Sequence, residues 1–286
     1  MDLREIYLKK TDEICGLSCP PVSFEVFPPK NEDITGLFEE LRILKRYNPA
    51  LVSLTYGASG TSSRFSPDIL KSIIDLELNL MPHFTCVCSG RDEIEDYIRT
   101  IENLGMENIL ALRGDIPQGV NPCTLDFEHA NELVDFIHQK TTLSIGVAGY
   151  PECHIEAKSI QEDIENLKRK VEAGASAIFT QLFFDNDKFC KYVELVRGAG
   201  IEVPIVAGIM PIRSLTQIEK MVQMTHVSIP ETLKNRLEQN SIDAKKFGIE
   251  FAINQCQDLI DFGVDGLHFF TLNHSDQVSE ILDNIL

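Results

Sequence analysis

The chain has 286 residues, 43% of them hydrophobic and 24% charged, the makeup of a folded protein with room for one large domain. A formal net charge of −18 argues against non-specific nucleic-acid binding and against docking on anionic lipid, although a locally basic pocket could still take a small anion. No apolar run approaches the ~18 residues of a membrane span, and the opening MDLREIYLKK is charged where a signal peptide would be apolar.

Short β-rich runs alternate along the chain with longer segments of helical spacing. Residues 1–20 read as an N-terminal helical extension, with Cys15 and Cys19 on one face. The strands begin at Val22 (VSFEVF), Leu51 (LVSLTY), Pro82 (PHFTCV), Asn108 (NILALR), Leu143 (LSIGVA), Ala177 (AIFTQLF), Pro204 (PIVAGI) and Gly266 (GLHFFTL). Amphipathic helices are predicted over 34–46, 67–78, 92–104, 127–139, 160–173, 187–199, 215–224, 247–262 and 276–286. Near-continuous apolar strands separated by helices mean a parallel sheet covered on its faces. Eight evenly spaced units without a linker predict an α/β single domain, a closed (β/α)8 TIM barrel. An open doubly wound sheet is the competitor, weakened by the absence of G-x-G-x-x-G after the first strand.

The eight cysteines (15, 19, 86, 88, 123, 153, 190 and 256) include no C-x-x-C pair. They are expected to be free, mostly buried thiols and not metal ligands, in a reducing compartment, most simply the cytoplasm.

Active sites of such barrels lie at the C-terminal ends of the strands. The polar residues there are Glu25, then Thr55 and Tyr56, then His83 and Thr85, then Arg113, Gly114 and Asp115. Tyr150, Glu152 and His154 follow the fifth strand, Thr180 and Gln181 lie on the sixth, and His268, Thr271, Asn273 and His274 belong to the eighth. Glu25 interrupts an apolar run. Pointing into the barrel mouth it would have a raised pKa and suit a general acid; the plainer alternative is an ion pair with a neighbouring strand, Arg113 for example. In SIQEDIENLKRKVEAGA, Ile160, Ile164, Leu167 and Val171 form the core-facing stripe. Beside it run Asp163, Asn166 and Lys170, either a solvated face or a set for ribose hydroxyls and a phosphate.

The segments SFEVFPPK, LVSLTYGASG, PHFTC, LALRGDIP, GYPECHIEA, NLKRKVEAGA, TQLFFD, PIVAGIMPI and LHFFTLN occur in one order over nearly the whole chain. In them the sequence resembles the methylenetetrahydrofolate reductase family, bacterial-type and limited to the catalytic barrel. The resemblance implies FAD bound at the strand ends and NADH or NADPH as co-substrate in a ping-pong reduction of 5,10-methylenetetrahydrofolate. It implies Glu25 as the acid that protonates the departing amine and Asp115 beside the flavin. Thr55, Tyr56, His83, Arg113, Gly114, Asp115, Ala130, Tyr150, His154, Asp163, Asn166, Arg169 and Lys170 fall on family FAD positions. Glu25, Asp115, Gln181, Gln217, Met221, Phe270 and His274 fall at the folate and nicotinamide face. A homo-oligomer is implied as well, with no nucleic acid, membrane or metal.

Four positions depart from the family pattern. Met221 stands where an aromatic residue is common, Phe270 and His274 replace tyrosine and arginine in HFFTLNH, and His129 replaces a tyrosine. They bear on folate-tail binding and on the electron donor. Two other classes compete: another FAD barrel, proline-dehydrogenase-like, and a flavin- or folate-binding subunit with an electron-transfer partner subunit.

Overall fold

Alternation along the first strand sets the plan of the molecule. In β1 (Val22–Val26), Val22, Phe24 and Val26 lie in the apolar layer between sheet and helices. Ser23 and Glu25 therefore point to the other side, the barrel axis. The remaining strands repeat the pattern: β2 (Leu51–Leu54), β3 (Leu80–Thr85), β4 (Asn108–Leu112), β5 (Ser144–Gly149), β6 (Ala177–Leu182), β7 (Ile205–Ile209) and β8 (Gly266–Phe270). All neighbours are parallel, and β8 closes on β1, giving the predicted (β/α)8 barrel. In the register, Glu25 stands opposite Ser53 on one side and Phe270 on the other, and Ser23 opposite His268. The computed structural model describes residues 1–8, 19–28, 34–55, 67–87, 89–115, 126–239 and 243–286.

The helices are α1 (Leu3–Leu8), α2 (Thr35–Lys45), α3 (Pro67–Ile74), α4 (Arg91–Asn103), α5 (Ala130–Lys140), α6 (Ile160–Glu172), α7 (Asn186–Gly198), α8 (Leu215–Thr225), α9 (Glu231–Gln239), α10 (Ala244–Phe262) and α11 (Ser275–Ile285). Several boundaries differ from the sequence expectation. Helix α5 starts at Ala130, not at Phe127. Phe127 instead packs edge-on to Phe136, 5.4 Å between ring centroids, with the Arg91 guanidinium over both rings. Helix α9 was hidden because its buried pair, Leu233 and Leu237, is too short a stripe to read as a period. The expected helix over residues 1–20 is described only as α1; Cys15 lies outside the described residues, and Cys19 precedes β1 outside any helix. Cys86, Cys153, Cys190 and Cys256 are free thiols, Cys86 and Cys256 buried and Cys153 and Cys190 half-buried; Cys19 is half-buried.

Helix α1 plugs the barrel. Leu3, Ile6 and Tyr7 pack against Leu51, Met81, Leu110, Ala177, Phe179 and Val206, several of them strand-opening residues. Tyr7 meets Phe179 edge-on at 5.8 Å, and the Leu3 amide donates to Ser144 Oγ at 3.0 Å. This closes the N-terminal mouth with apolar side chains and leaves polar chemistry to the opposite one.

Candidate active site

The inward positions of β1, β2, β3 and β8 build a buried polar group. Glu25 is 8% exposed, His83 5% and His268 1%. Glu25 Oε2 lies 3.7 Å from His83 Nε2 and 3.8 Å from His268 Nε2, and Arg113 is elsewhere. The ion pair with Arg113 considered for Glu25 is thus not what forms: Arg113 clasps Glu156 through both guanidinium nitrogens, one of them at 2.8 Å. Burial pushes the His83 imidazole down to about 4, with Glu25 opposing and His268 adding to the shift. His83 is therefore neutral at neutral pH.

His268 is held on both sides. Its Nδ1 is 2.8 Å from Ser23 Oγ and its Nε2 3.4 Å from Ser53 Oγ, while Phe179 and Phe270 pack edge-on to the ring at 5.2 and 5.6 Å. The β8–α11 turn fixes the backbone of β1. Thr271 Oγ1 donates to the Glu25 carbonyl at 2.6 Å, and the Asn273 side chain brackets Phe27, accepting from its amide at 2.7 Å and donating to its carbonyl at 2.8 Å. His268, Thr271 and Asn273 are among the strand-end polar residues that the sequence offers, although without a role, whereas Ser23 and Ser53 were not anticipated. The period-two spacing of Ser23 with Glu25 was the signal that could have found the former.

A second group lines β4, β5 and α6. Leaving β4, the chain turns at Gly114 with φ +83°, where a Cβ would stand 2.8 Å from Val87 Cγ1 and 2.9 Å from Thr85 Cβ, so only glycine fits. Asp115 follows, exposed. Tyr150 and His154 stack edge-on at 4.6 Å. His154 donates its amide to Asp163 Oδ2 at 3.0 Å and accepts the Glu156 amide on Nδ1 at 3.2 Å, so neutral His154 carries its proton on Nε2. Burial raises the Asp163 carboxyl, which the His154 amide and Lys170 oppose, and lowers the His154 imidazole. Lys170 Nζ donates to the Ala148 carbonyl at 2.6 Å. Burial brings its ammonium down to about 8, with Asp163 opposing. The helix stripe divides accordingly: Asp163 and Lys170 turn into the mouth, whereas Asn166 is exposed and accepts from Arg169 Nη1 at 3.1 Å.

Thr55, buried, donates to the Val26 carbonyl at 3.4 Å, and Ala130 sits half-buried at the first position of α5. Tyr56 lies outside the described residues. A bulge between β6 and β7 lies at Phe179 to Leu182, with Gly208 donating its amide to Thr180 Oγ1 at 2.9 Å. Here a Cβ on Gly208 would come within 2.3 Å of the Thr180 carbonyl. Gln181, within the bulge, folds its Oε1 onto the Leu182 amide at 3.0 Å. The Gln217 amide is used at the start of α8, accepting from the Arg213 amide at 2.6 Å and donating to the Pro211 carbonyl at 3.3 Å. Met221 and Phe270 share an apolar cluster with Leu182, Phe184 and Ile218, and His274 is exposed at the N-cap of α11.

Residues 14–286 match the family model described as methylenetetrahydrofolate reductase. The 5,10-methylenetetrahydrofolate reductase of Escherichia coli (strain K12) is 37% identical over 260 residues, covering 89% of this chain and 87% of that protein. Methylenetetrahydrofolate reductase (NADH) 1 of Arabidopsis thaliana is 38% identical over 284 residues, covering 92% of this chain but 48% of its own length, so the chain spans about half of that relative. Among solved structures, a Clostridium thermocellum protein that binds two copies of 5-methyl-5,6,7,8-tetrahydrofolic acid has the same fold, with a TM-score of 0.68 at 14% identity over 99% of this chain and 97% of that one. The match takes in the barrel from β1 to α11, Glu25 and the β5–α6 wall included, and this chain belongs to the methylenetetrahydrofolate reductase family.

Proposed function

We propose that the chain reduces 5,10-methylenetetrahydrofolate to 5-methyltetrahydrofolate, with FAD as resident cofactor and NADH as the donor, NADPH being the alternative. The observation that carries this is Glu25, a buried carboxylate at the open mouth of the barrel beside a neutral His83. The residues opposite suit a flavin dinucleotide. Lys170 is a half-buried cation whose charge burial disfavours, so a phosphate beside it would relieve that cost. Asp163 and Asn166 can take hydroxyls, and Gly114 brings backbone close to any ring placed over β4.

Held by Lys170, Asp163 and the Gly114 turn, a bound flavin would supply hydride transfer between the nicotinamide and the methylene carbon of the folate. Glu25 has the task of protonating the amine that leaves that carbon, for which a general acid typically contributes about 10²–10⁴-fold. His83, neutral, neither forms a strong ion pair with Glu25 nor supplies a competing cation. Ser23 fixes the His268 ring, which borders Glu25 from the closed side of the barrel and keeps the carboxyl turned to the open mouth. The Asp115 carboxylate, by family resemblance, disfavours negative charge building up at the flavin edge.

Anaerobic stopped-flow spectroscopy tests this reading. NADH should bleach the bound flavin, and methylenetetrahydrofolate should restore its colour in a second mixing. A protein that takes up no FAD, or whose bleached flavin is unaffected by the folate, would overturn it.

A further inference from the structure

The loop after β5 holds a carboxylate that the reaction does not use. Glu152 lies between Tyr150 and His154, with its side chain 12% exposed. It accepts from Lys188 Nζ at 2.5 Å, from the Ser228 hydroxyl at 2.7 Å, and from the Ser228 amide at 3.2 and 3.3 Å to its two oxygens. Lys188 Nζ also donates to Ser228 Oγ at 2.5 Å. One anion, one cation and one hydroxyl thus satisfy each other in a closed set.

The three residues come from separate places. Glu152 belongs to the loop that carries Tyr150 and His154, Lys188 to the first turns of α7, and Ser228 to the segment joining α8 to α9. Helices α8 and α9 pack through an apolar cluster, with Ile212, Ile218, Val227, Leu233 and Leu237 inside, Met221 and Phe270 at its edge, and Leu182, Phe184 and Ala244 joining it from the barrel and α10. Apolar contact is non-directional and holds such a lobe down without fixing its angle. A charge-assisted set with four acceptor contacts does fix it, because sliding α8 would draw Ser228 away and strip Glu152 of its hydroxyl and amide donors, leaving the partly dry carboxylate with Lys188 alone.

We infer that Glu152 is a positioning residue: through Ser228 and Lys188 it seats α8 over the barrel mouth and sets Met221 for the folate. The inference rests on the reading above that folate uses this face.

The test is Glu152→Gln in the full-length, FAD-loaded protein. The substitution keeps the side-chain volume and removes the charge that Lys188 and Ser228 share. Hydrogen exchange should quicken in the amides of residues 211–228, and the KM for methylenetetrahydrofolate should rise about tenfold, the loss of one charge-assisted contact. The rate of flavin reduction at saturating NADH should stay within about twofold, because no reacting group is altered, while the NADH concentration needed for half-saturation rises along with the folate KM, Met221 bordering both substrates. Ser228→Ala, which keeps the Glu152–Lys188 pair, should move both quantities the same way by a smaller factor, and it serves if the first variant folds poorly. Unchanged exchange in both variants would overturn the clasp, and quicker exchange with an unchanged folate KM would overturn the positioning role. Wild-type protein runs alongside: no folate turnover there would sink the proposed reaction, while the exchange measurement would still decide the clasp.

Discussion

Ser23 and His268 face each other across the β1–β8 seam, and their side chains meet at 2.8 Å from hydroxyl to Nδ1. That contact orients the ring so that Nε2 is turned to Glu25, 3.8 Å from its carboxylate. Closing the barrel therefore does more than bury apolar surface. It brings an imidazole to the back of the one acid in β1.

Glu25→Gln separates the two half-reactions. Flavin reduction by NADH should proceed at close to the wild-type rate, because it needs no proton from this residue. Reoxidation by methylenetetrahydrofolate should slow by about 10²–10⁴-fold. Single-turnover stopped flow of each half-reaction checks this. Equal slowing of both would make Glu25 a structural residue, held between His83 and His268 for stability alone.

Lys170 gives flavin binding a pH dependence of known sign. Its ammonium is brought down to about 8 by burial. A phosphate favours the charged form, so affinity for FAD should hold below that pH and fall as pH rises through and above it. Lys170→Met should flatten the profile and weaken binding at neutral pH by about 1.5–3 kcal/mol. Calorimetric titration of flavin-free protein across the alkaline range decides it. Profiles of the same shape for both proteins would remove Lys170 from the cofactor site.

His83 should make the fold acid-sensitive. Burial lowers its imidazole from 6.5 in the unfolded chain to about 4 in the folded one. Between those values the unfolded chain binds a proton that the folded chain does not. The stability contributed by this group is thus full above about 6.5 and is lost as pH falls toward 4, by about 3 kcal/mol in all. Urea unfolding between these limits should show a shallower decline for His83→Asn than for wild type. His154, also lowered, is common to both proteins and cancels in the comparison. Parallel declines would contradict a buried, neutral His83.

Tyr7 should matter for stability and not for chemistry. Its ring is 3% exposed and plugs the far end of the barrel against Phe179. Tyr7→Ala should cost about 3–5 kcal/mol, as other large-to-small changes of buried aromatics do. The KM values of both substrates should be unaffected, since the plug and the mouth are at opposite ends of the strands. Thermal unfolding together with steady-state kinetics tests the pair of expectations.

By itself the sequence determined the barrel. Strand and helix periods are local properties, and eight alternations of them admit few topologies. It also marked Glu25, since an acid within VSFEVF has nowhere neutral to go, and it marked the Asp163–Lys170 stripe beside the core-facing one. Its misreadings were local too: Phe127 has helical spacing but serves as packing for Phe136, and α9 shows too few apolar residues to stand out. Only the tertiary structure decided who partners whom. Glu25 lies beside His83 and His268 and not Arg113, Arg113 pairs with Glu156, and Glu152 reaches Ser228, 76 residues away. Ser23 and His268 are 245 residues apart, so no window of sequence contains both. Such pairs exist because the last strand closes on the first, and the register of that closure sets which side chains share the barrel axis.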